Sequence, residues 1–445
     1  MMFGIKDTKS SRLWANKRYV TWLISDTSKG LAGTLINFAI PLLTLMVTND
    51  PAQAGIIGGV GMGVQVTSML AGGVLADRHS RIKLMVIGSA IGAVLAAVFA
   101  AVAWADSLSF TLLLATEILM ALRGGIFNTA GEAQLKSVVP ASAMGRAQAA
   151  NQGRDAALQI AGNPIGGFLL GIGGWMVGAV MCAAHLLSAA TAVILGRMGD
   201  LNPEAQQSPH HQVPGLEGQD QPDQLEESHK PNAFTEITEA FGWLFKRPDL
   251  RNVMLIATII NLGFNAAVTT AIYVLQQTGH SPVQIGTVSS AMGIAMLCGA
   301  VIAPFLVHRI GTGRLAVGCL TILTAGVAAL IMTDSLLSMA IILSASSVLI
   351  PALNSGLMGY FMVAVPTHLL GRANSAVGIL AMGAMPLAPL VAGFGLSWAG
   401  RAGTIMACAG VCALAALIAA CSPGVRSLPK EADWADHAKQ FAYGA

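Results

Sequence analysis

The sequence is short of charge. Asp, Glu, Lys and Arg make up 11% of its 445 residues, under half the roughly 25% of an ordinary soluble domain, which excludes a water-soluble protein of this length. Cysteine offers no framework either. Cys182, Cys298, Cys319, Cys408, Cys412 and Cys421 all fall in or at the ends of apolar stretches, without zinc-ligand or secreted-disulfide spacing, and read as packing residues. No G-x-x-x-x-G-K-[ST] loop occurs, so no phosphate cradle of that kind serves an ATP-driven mechanism. No alternation of polar and apolar residues suggests a barrel. The net charge of +3 leaves no nucleic-acid footprint. Without a cluster of nucleophiles or metal ligands at one depth, neither an enzyme nor a resident cofactor or metal is expected.

What the chain does have is apolar length. Hydrophobic residues make up 54% of it, and twelve stretches are long enough to cross about 30 Å of hydrocarbon: 19–47, 54–76, 84–104, 110–138, 155–173, 175–196, 253–275, 284–307, 315–333, 336–364, 374–398 and 402–421. At that depth the backbone must bond within its own segment, which makes each stretch a helix. The 50 glycines suit helices whose backbones approach closely. The expected fold is therefore an all-α polytopic membrane protein. The leading MMFGIKDTKSSRLWANKR is polar and basic, and the span after it is too long, and too charged at Asp26 and Lys29, for a signal-peptide core.

The placement of the 25 Lys and Arg residues orients the chain. Lys29 and Arg123 lie within spans, and Arg401 alone falls in a connection on the outer side; the rest sit in the terminal tails or the connections after spans 2, 4, 6, 8 and 10. By the positive-inside rule, both termini and the loop GGVLADRHSRIK are cytoplasmic, and the chain is a multi-pass protein of the cell's cytoplasmic (inner) membrane.

One long polar stretch interrupts the pattern. Residues 197–232 read as a flexible cytoplasmic linker rich in Pro, Gln, His and acid, with His210, His211 and His229 as solvated side chains rather than metal ligands. Over 233–249, Phe234, Ile237, Phe241, Leu244 and Phe245 recur at helical spacing opposite Glu236 and Glu239, which predicts an amphipathic helix at the interface. The chain thus divides into a tail at 1–18, a six-helix bundle at 19–196, the linker, the interfacial helix, a second bundle at 250–421 and a tail at 422–445.

The two bundles repeat. A shift of 231 residues carries Arg78 and Lys83 onto Arg309 and Arg314, with His308 where Asp77 stands. A shift of 226 carries Gly145, Arg146 and Ala147 onto Gly371, Arg372 and Ala373, and Gly167 and Phe168 onto Gly393 and Phe394. Parallel repeats about an axis along the membrane normal mark one common transporter architecture.

On these residues the chain resembles the major facilitator superfamily over nearly its whole length. The family's signature between spans 2 and 3 is matched by Gly73, Asp77, Arg78, Arg81 and Lys83, with Ser80 in place of its second glycine. In the second half Pro304 and His308 depart from it. The resemblance implies two pseudo-symmetric six-helix bundles working by alternating access. Span 5 carries Gly162, Asn163, Pro164, Ile165, Gly166 and Gly167, similar to the antiporter G-P-x-x-G-G with the proline displaced by one. In span 4 Arg123 is present, but Gly125 and Ile126 follow where a glutamine and glycine are usual. FTEITEAFGWLFKRPDLR and VVPASAMGRAQAAN resemble the branch of macrolide-efflux and enterobactin-exporter proteins, which implies export.

Few ionisable groups lie at depth, where each costs about 2.5–3.5 kcal/mol on insertion scales and is a functional candidate. Asp26 and Lys29 lie about 12 and 16 Å inside the cytoplasmic edge of span 1, and Glu132 of span 4 about 10 Å inside it. Glu117 stands nearer the outside. Since spans 1 and 4 line the central cavity in the superfamily, Lys29 pairs with Glu132, and Asp26 with Lys29 or Arg123, in the expected arrangement. Two readings stand: mutually neutralised pairs that hold the first bundle together, or a carboxylate, Glu132 or Asp26 ahead of Glu117, that takes and releases a proton as the cavity changes sides. Arg154 and Asp155 read as an interfacial pair.

Spans 7 to 12 carry no clearly buried charge. Their polar content, Asn261, Asn265, Thr269, Asn354 and Ser355, with Tyr273, Met358 and Tyr360 nearby, makes a candidate substrate wall that suits an amphiphilic or lipophilic cargo better than a sugar; interhelical bonding is the other reading of Asn261 and Asn265. The expected function is proton-coupled efflux of small amphiphilic compounds such as drugs, macrolides or siderophore-like molecules by a monomer in the bilayer. An importer or uniporter is the alternative, and a polytopic sensor or membrane enzyme a more distant one. Asp77, at the end of span 2, can latch the halves by charge-assisted contacts in one orientation. Asp77→Asn is expected to lower export in everted vesicles with membrane insertion unchanged; intact export would remove the latch.

Overall fold

The computed structural model describes residues 13–140, 143–198, 242–366 and 370–442. Six helices build the first half: α1 (Lys17–Thr48), α2 (Pro51–Arg78), α3 (Arg81–Trp104), α4 (Phe110–Val138), α5 (Met144–Ile172) and α6 (Gly174–Arg197). The second half holds α7 (Pro248–Gln277), α8 (Pro282–Arg309), α9 (Thr312–Ala329), α10 (Leu336–Ser347), α11 (Ile350–Ala364), α12 (Leu370–Ala384) and α13 (Leu387–Cys421). No strand occurs among the described residues. Ten stretches are long and apolar enough to cross a membrane. One of them, Val377–Cys421, folds back at Gly400, where φ is 66° and only glycine sits without strain. The hydropathy of α5 is diluted by its polar first half, and it supplies the twelfth span.

Local signals explain the corners. The Asn16 side chain accepts from the amides of Arg18 and Tyr19 to start α1, and Asn49 ends it in the left-handed region at φ 51°. Asp50 then accepts from the Ala52 amide, and Pro51 fills the first position of α2. At the end away from the chain termini, here called the far end, connections are short: Asn49 and Asp50 join α1 to α2, and Gly173 alone, at φ 154°, joins α5 to α6. There Arg401 pairs with Asp334 and donates to the carbonyls of Leu330 and Thr333, tying the corner of α13 to the segment before α10.

Within the first half α1 packs on α6 and α5, α2 on α4, and α3 on α6; in the second, α13 packs on α7 and α9, and α8 on α10 and α11. The halves meet chiefly through two pairs, α2 with α13 and α5 with α8, both by their far-end portions, with lighter contacts of α1 on α7 and α2 on α12. A Cβ at Gly55 would lie 2.5 Å from the Pro389 carbonyl and 3.0 Å from the Gly393 Cα. One at Gly286 would lie 2.6 Å from the Asn163 carbonyl. Ser290 donates to the Ile160 carbonyl across the same seam. At the terminal end, by contrast, Asp77 and Arg78 are exposed and make no ion pair among the described residues. The halves lean together at the far end.

The tail at 422–445 is folded along most of its described length. Helix α14 (Pro423–Arg426) and helix α15 (Trp434–Ala442) lie against the terminal ends of α9 and α11. Trp434 Nε1 donates to Thr312 Oγ1 at 2.9 Å, and the indole covers Gly359. His437 Nδ1 lies 3.2 Å from the Tyr360 hydroxyl, and burial lowers the pKa of its ring. Nearly all of the 197–232 linker and the front of the 233–249 segment lie outside the described residues. The rear of that segment forms a helical turn at 242–246 with Leu244 buried, and Pro248 already belongs to α7.

Overpacking a tight interface costs about 1–3 kcal/mol. Gly393→Leu is therefore expected to cut transport roughly tenfold, whereas Gly410→Leu, facing open space in the span beyond the fold at Gly400, should leave it within about twofold. Equal rates for the two variants in proteoliposomes would show that the seam does not carry the transport cycle.

Candidate functional site

Inside the first half, α1, α2, α4 and α6 surround a chamber of about 50 Å³ whose polar lining is Asn37, Gln65, Glu117, Arg123, Asn128 and His185. Helix α4 supplies the charges. Glu117 stands about 10 Å and Arg123 about 20 Å along the helix from its far-end start at Phe110. Both are buried, at 8% and 7% exposure. Gly61 on α2 lies where any Cβ would run into the Glu117 carboxylate, so the acid is pressed against the neighbouring backbone. Neither group has an ion partner among the described residues. Among the described residues Glu117 Oε2, Arg123 Nε, Asn128 Oδ1 and His185 Nδ1 are buried without a hydrogen-bond partner, and the guanidinium reaches the Gly88 carbonyl at 3.4 Å. Asn37 and Gln65 are exposed and stand at the chamber's rim.

A second cavity, of about 120 Å³, lies between the halves and is mostly apolar, walled by Phe38, Pro41, Met62, Ile272, Tyr273 and Pro389. Asn37 and Glu117 line it too. One carboxylate therefore faces both a polar chamber within the first bundle and an apolar slot between the bundles.

A different charge cluster lies nearer the terminal end. Asp26 accepts from Lys29 at 2.8 Å and from Arg154 at 2.7 Å. Arg154 also pairs with Asp155 at 2.7 Å and stacks over Trp22, 5.9 Å from its ring centre. Here the expected pairing needs correction. Asp26 does meet Lys29, but its other partner is Arg154 from α5 rather than Arg123, which sits two turns deeper. The Lys29–Glu132 pair is not formed, because the ammonium turns to Asp26 on its own helix; Glu132 is exposed.

The remaining candidates fall in several places. Asn261 and Asn354 are exposed, and Asn265 donates to the Asn261 carbonyl at 2.8 Å on its own helix. Tyr273 is 2% exposed and walls the slot. Tyr360 reaches neither cavity: its hydroxyl donates to Asp249 at 2.8 Å, beneath an Arg247–Asp249 pair at 2.7 Å. Of the span-5 glycines, Gly166 meets Phe38 of α1, with a Cβ there 3.1 Å from the ring. Gly162 abuts Thr34, Gly167 the Pro282 carbonyl, and Pro164 faces Gly286. The motif is a packing surface between α1 and α8. In the signature loop Arg81 donates to the Ala133 carbonyl at 3.2 Å, while Gly73 borders open space and Lys83 is exposed. Arg309 lies over Phe305, 4.1 Å from its ring centre, and Arg314 is exposed.

Sequence reading missed Asn37, Gln65, Asn128 and His185. Each is a polar side chain inside an apolar span, and that was the available signal; counting formal charges passes over all four.

The sequence pattern of the Major Facilitator Superfamily matches residues 27–385 and again 253–437. The chain belongs to this superfamily. Solved structures of superfamily shape agree in fold. A bacterial homologue of the iron transporter ferroportin in an inward-facing state superposes with a TM-score of 0.66 at 14% identity, covering 90% of this chain and 97% of that one. A bacterial homologue of the human lysosomal transporter Spinster, inward-facing and unoccupied, gives 0.64 at 14%, covering 96% and 98%. The nucleoside transporter NupG gives 0.63 at 13%, covering 91% and 100%. Among curated proteins no relative is matched. As a superfamily member this chain is a transporter rather than an enzyme, and takes a small-molecule substrate within the membrane.

The two kinds of buried carboxylate should respond oppositely to neutralisation. Asp26→Asn strands Lys29 and leaves Arg154 with Asp155 alone, and is expected to cost about 3–5 kcal/mol. Glu117→Gln removes a charge that had no partner and is expected to be neutral or stabilising. Thermal unfolding in detergent reads both; equal losses would mean that Glu117 has a partner.

Proposed function

We propose that the protein expels small amphiphilic compounds from the cytoplasm in exchange for protons, with Glu117 as the carboxylate that carries the proton. The observation that carries this reading is the position of Glu117: buried, without a counter-ion among the described residues, and shared by the polar chamber and the apolar slot. Burying a bare carboxylate is costly, so the group is best served by a proton or by a substrate's positive charge, and exchange of one for the other couples their movements. Asp26, which the sequence places ahead of Glu117, is held by two bases at once and suits the structural reading. Glu132, exposed toward the terminal half, suits an approach route.

The charge distribution supports a cytoplasmic terminal end, and closure at the far end then corresponds to an inward-open conformation of a monomer in the cytoplasmic membrane. Asp77, exposed and unpaired among the described residues, fits a latch in its released state and made when the terminal ends close. The slot's apolar walls favour an amphiphile over a sugar. Kinship with the macrolide and enterobactin exporters rests on the segments FTEITEAFGWLFKRPDLR and VVPASAMGRAQAAN; the solved neighbours, described as iron and nucleoside transporters, share the fold alone.

Proteoliposomes with an imposed pH gradient test the proposal. Transport of lipophilic test compounds should follow the gradient, stop when it is collapsed, and lose its pH dependence in Glu117→Gln while counterflow exchange persists. Transport indifferent to the gradient would point instead to a uniporter.

A further inference from the structure

Glu117 is not the only uncompensated charge in the chamber. Arg123, on the same helix and equally buried, also has no carboxylate partner among the described residues, and its Nε is unpaired. The two residues lie about 9 Å apart along the helix axis and face a single chamber. Each isolated ion carries a desolvation penalty of several kcal/mol. A simple cation would compensate Glu117 and leave Arg123 bare. A simple anion would do the reverse. A head group that carries both signs compensates both, and adds no net charge to the bundle.

The two cavities set the size of what fits. The chamber, about 50 Å³, holds only a compact head. The adjoining slot, about 120 Å³, is somewhat smaller than the engineered apolar cavity of about 150 Å³ that binds benzene in another protein, so it takes one ring or one branched aliphatic arm.

We infer that the chamber and slot together bind a small zwitterion with an apolar arm, of the α-amino-acid type: its ammonium on Glu117, its carboxylate toward Arg123, and its arm between Phe38, Met62, Ile272 and Tyr273. Asn37, exposed where the two cavities join, is placed to meet the polar head. The inference rests on the transporter reading but not on its proton coupling.

Equilibrium binding to the purified full chain in lipid nanodiscs tests it with three probes of one shape: phenylalanine, 2-phenylethylamine, which lacks the carboxylate, and 3-phenylpropionate, which lacks the ammonium. Phenylalanine should bind at least about tenfold tighter than either analogue, a difference near 1.4 kcal/mol. Arg123→Gln should erase the preference over the amine, and Glu117→Gln the preference over the acid, while Arg123→Lys, which keeps the charge, retains part of the first preference. Met62→Trp, crowding the slot, should weaken phenylalanine more than alanine. Equal binding of phenylalanine and phenylethylamine would overturn the inference in favour of a plain cation site. No binding of any probe to a protein that melts cooperatively would overturn it outright. Phenylalanine selectivity without proton-driven transport would sink the coupling and leave the zwitterion site standing; proton-driven transport of other compounds without that selectivity would do the opposite.

Discussion

Two helix backbones approach almost to contact where Gly55 of α2 meets Gly393 of α13, and the architecture of the site depends on that approach. In hydrocarbon, water expulsion does not drive helices together, and close packing of small residues does much of the work instead. The same device recurs on the opposite flank, where Gly286 of α8 meets the Asn163–Pro164 backbone of α5. Between these seams α1 and α7 are held against each other at the far end, and the walls from Phe38 to Tyr273 enclose a slot rather than an open channel. A transporter must also separate what it has joined. Glycine seams, which interlock few side chains, suit a contact that is made and released repeatedly.

The charges divide by company. Asp26 sits among two bases and an indole, a small closed network whose members neutralise one another and anchor α1 to α5. Glu117 and Arg123 have no such company, and the polar atoms around them, from Asn128 to His185, are likewise unsatisfied. A fold normally satisfies its buried polar groups. Several such groups around one small cavity, more than the number of charges, distinguish the site from the closed network at Asp26.

Much of the fold was legible because membrane crossing imposes strong rules. Twelve apolar stretches, an even count, and the echo of Arg78 at Arg309 all follow from hydropathy and charge order, and the helices lie where those rules put them. The site was harder to read. Asp26 and Arg154 are 128 residues apart, and only the packing of α1 on α5 brings them together, so sequence neighbours such as Asp155 and facing spans such as α4 were the natural but incomplete choices. Tyr360 reads as a cavity residue because it is a tyrosine in a span; its partner Asp249 lies in a stretch that reads as surface, and their meeting depends on how α7 begins. His185 and Gln65 carry no formal charge, and their importance emerges only when four helices place them around Glu117.

The far-end corners have a practical side. A two-residue joint between α1 and α2, a single glycine between α5 and α6, and the fold at Gly400 leave little chain standing proud of that face. With that face outward, as proposed, antibodies and proteases approaching from outside find few epitopes or cleavable loops. The docked α14 and α15 place the chain's last described residues against the opposite face, so a bulky fusion at the carboxyl terminus would press on the helices it is meant to report on.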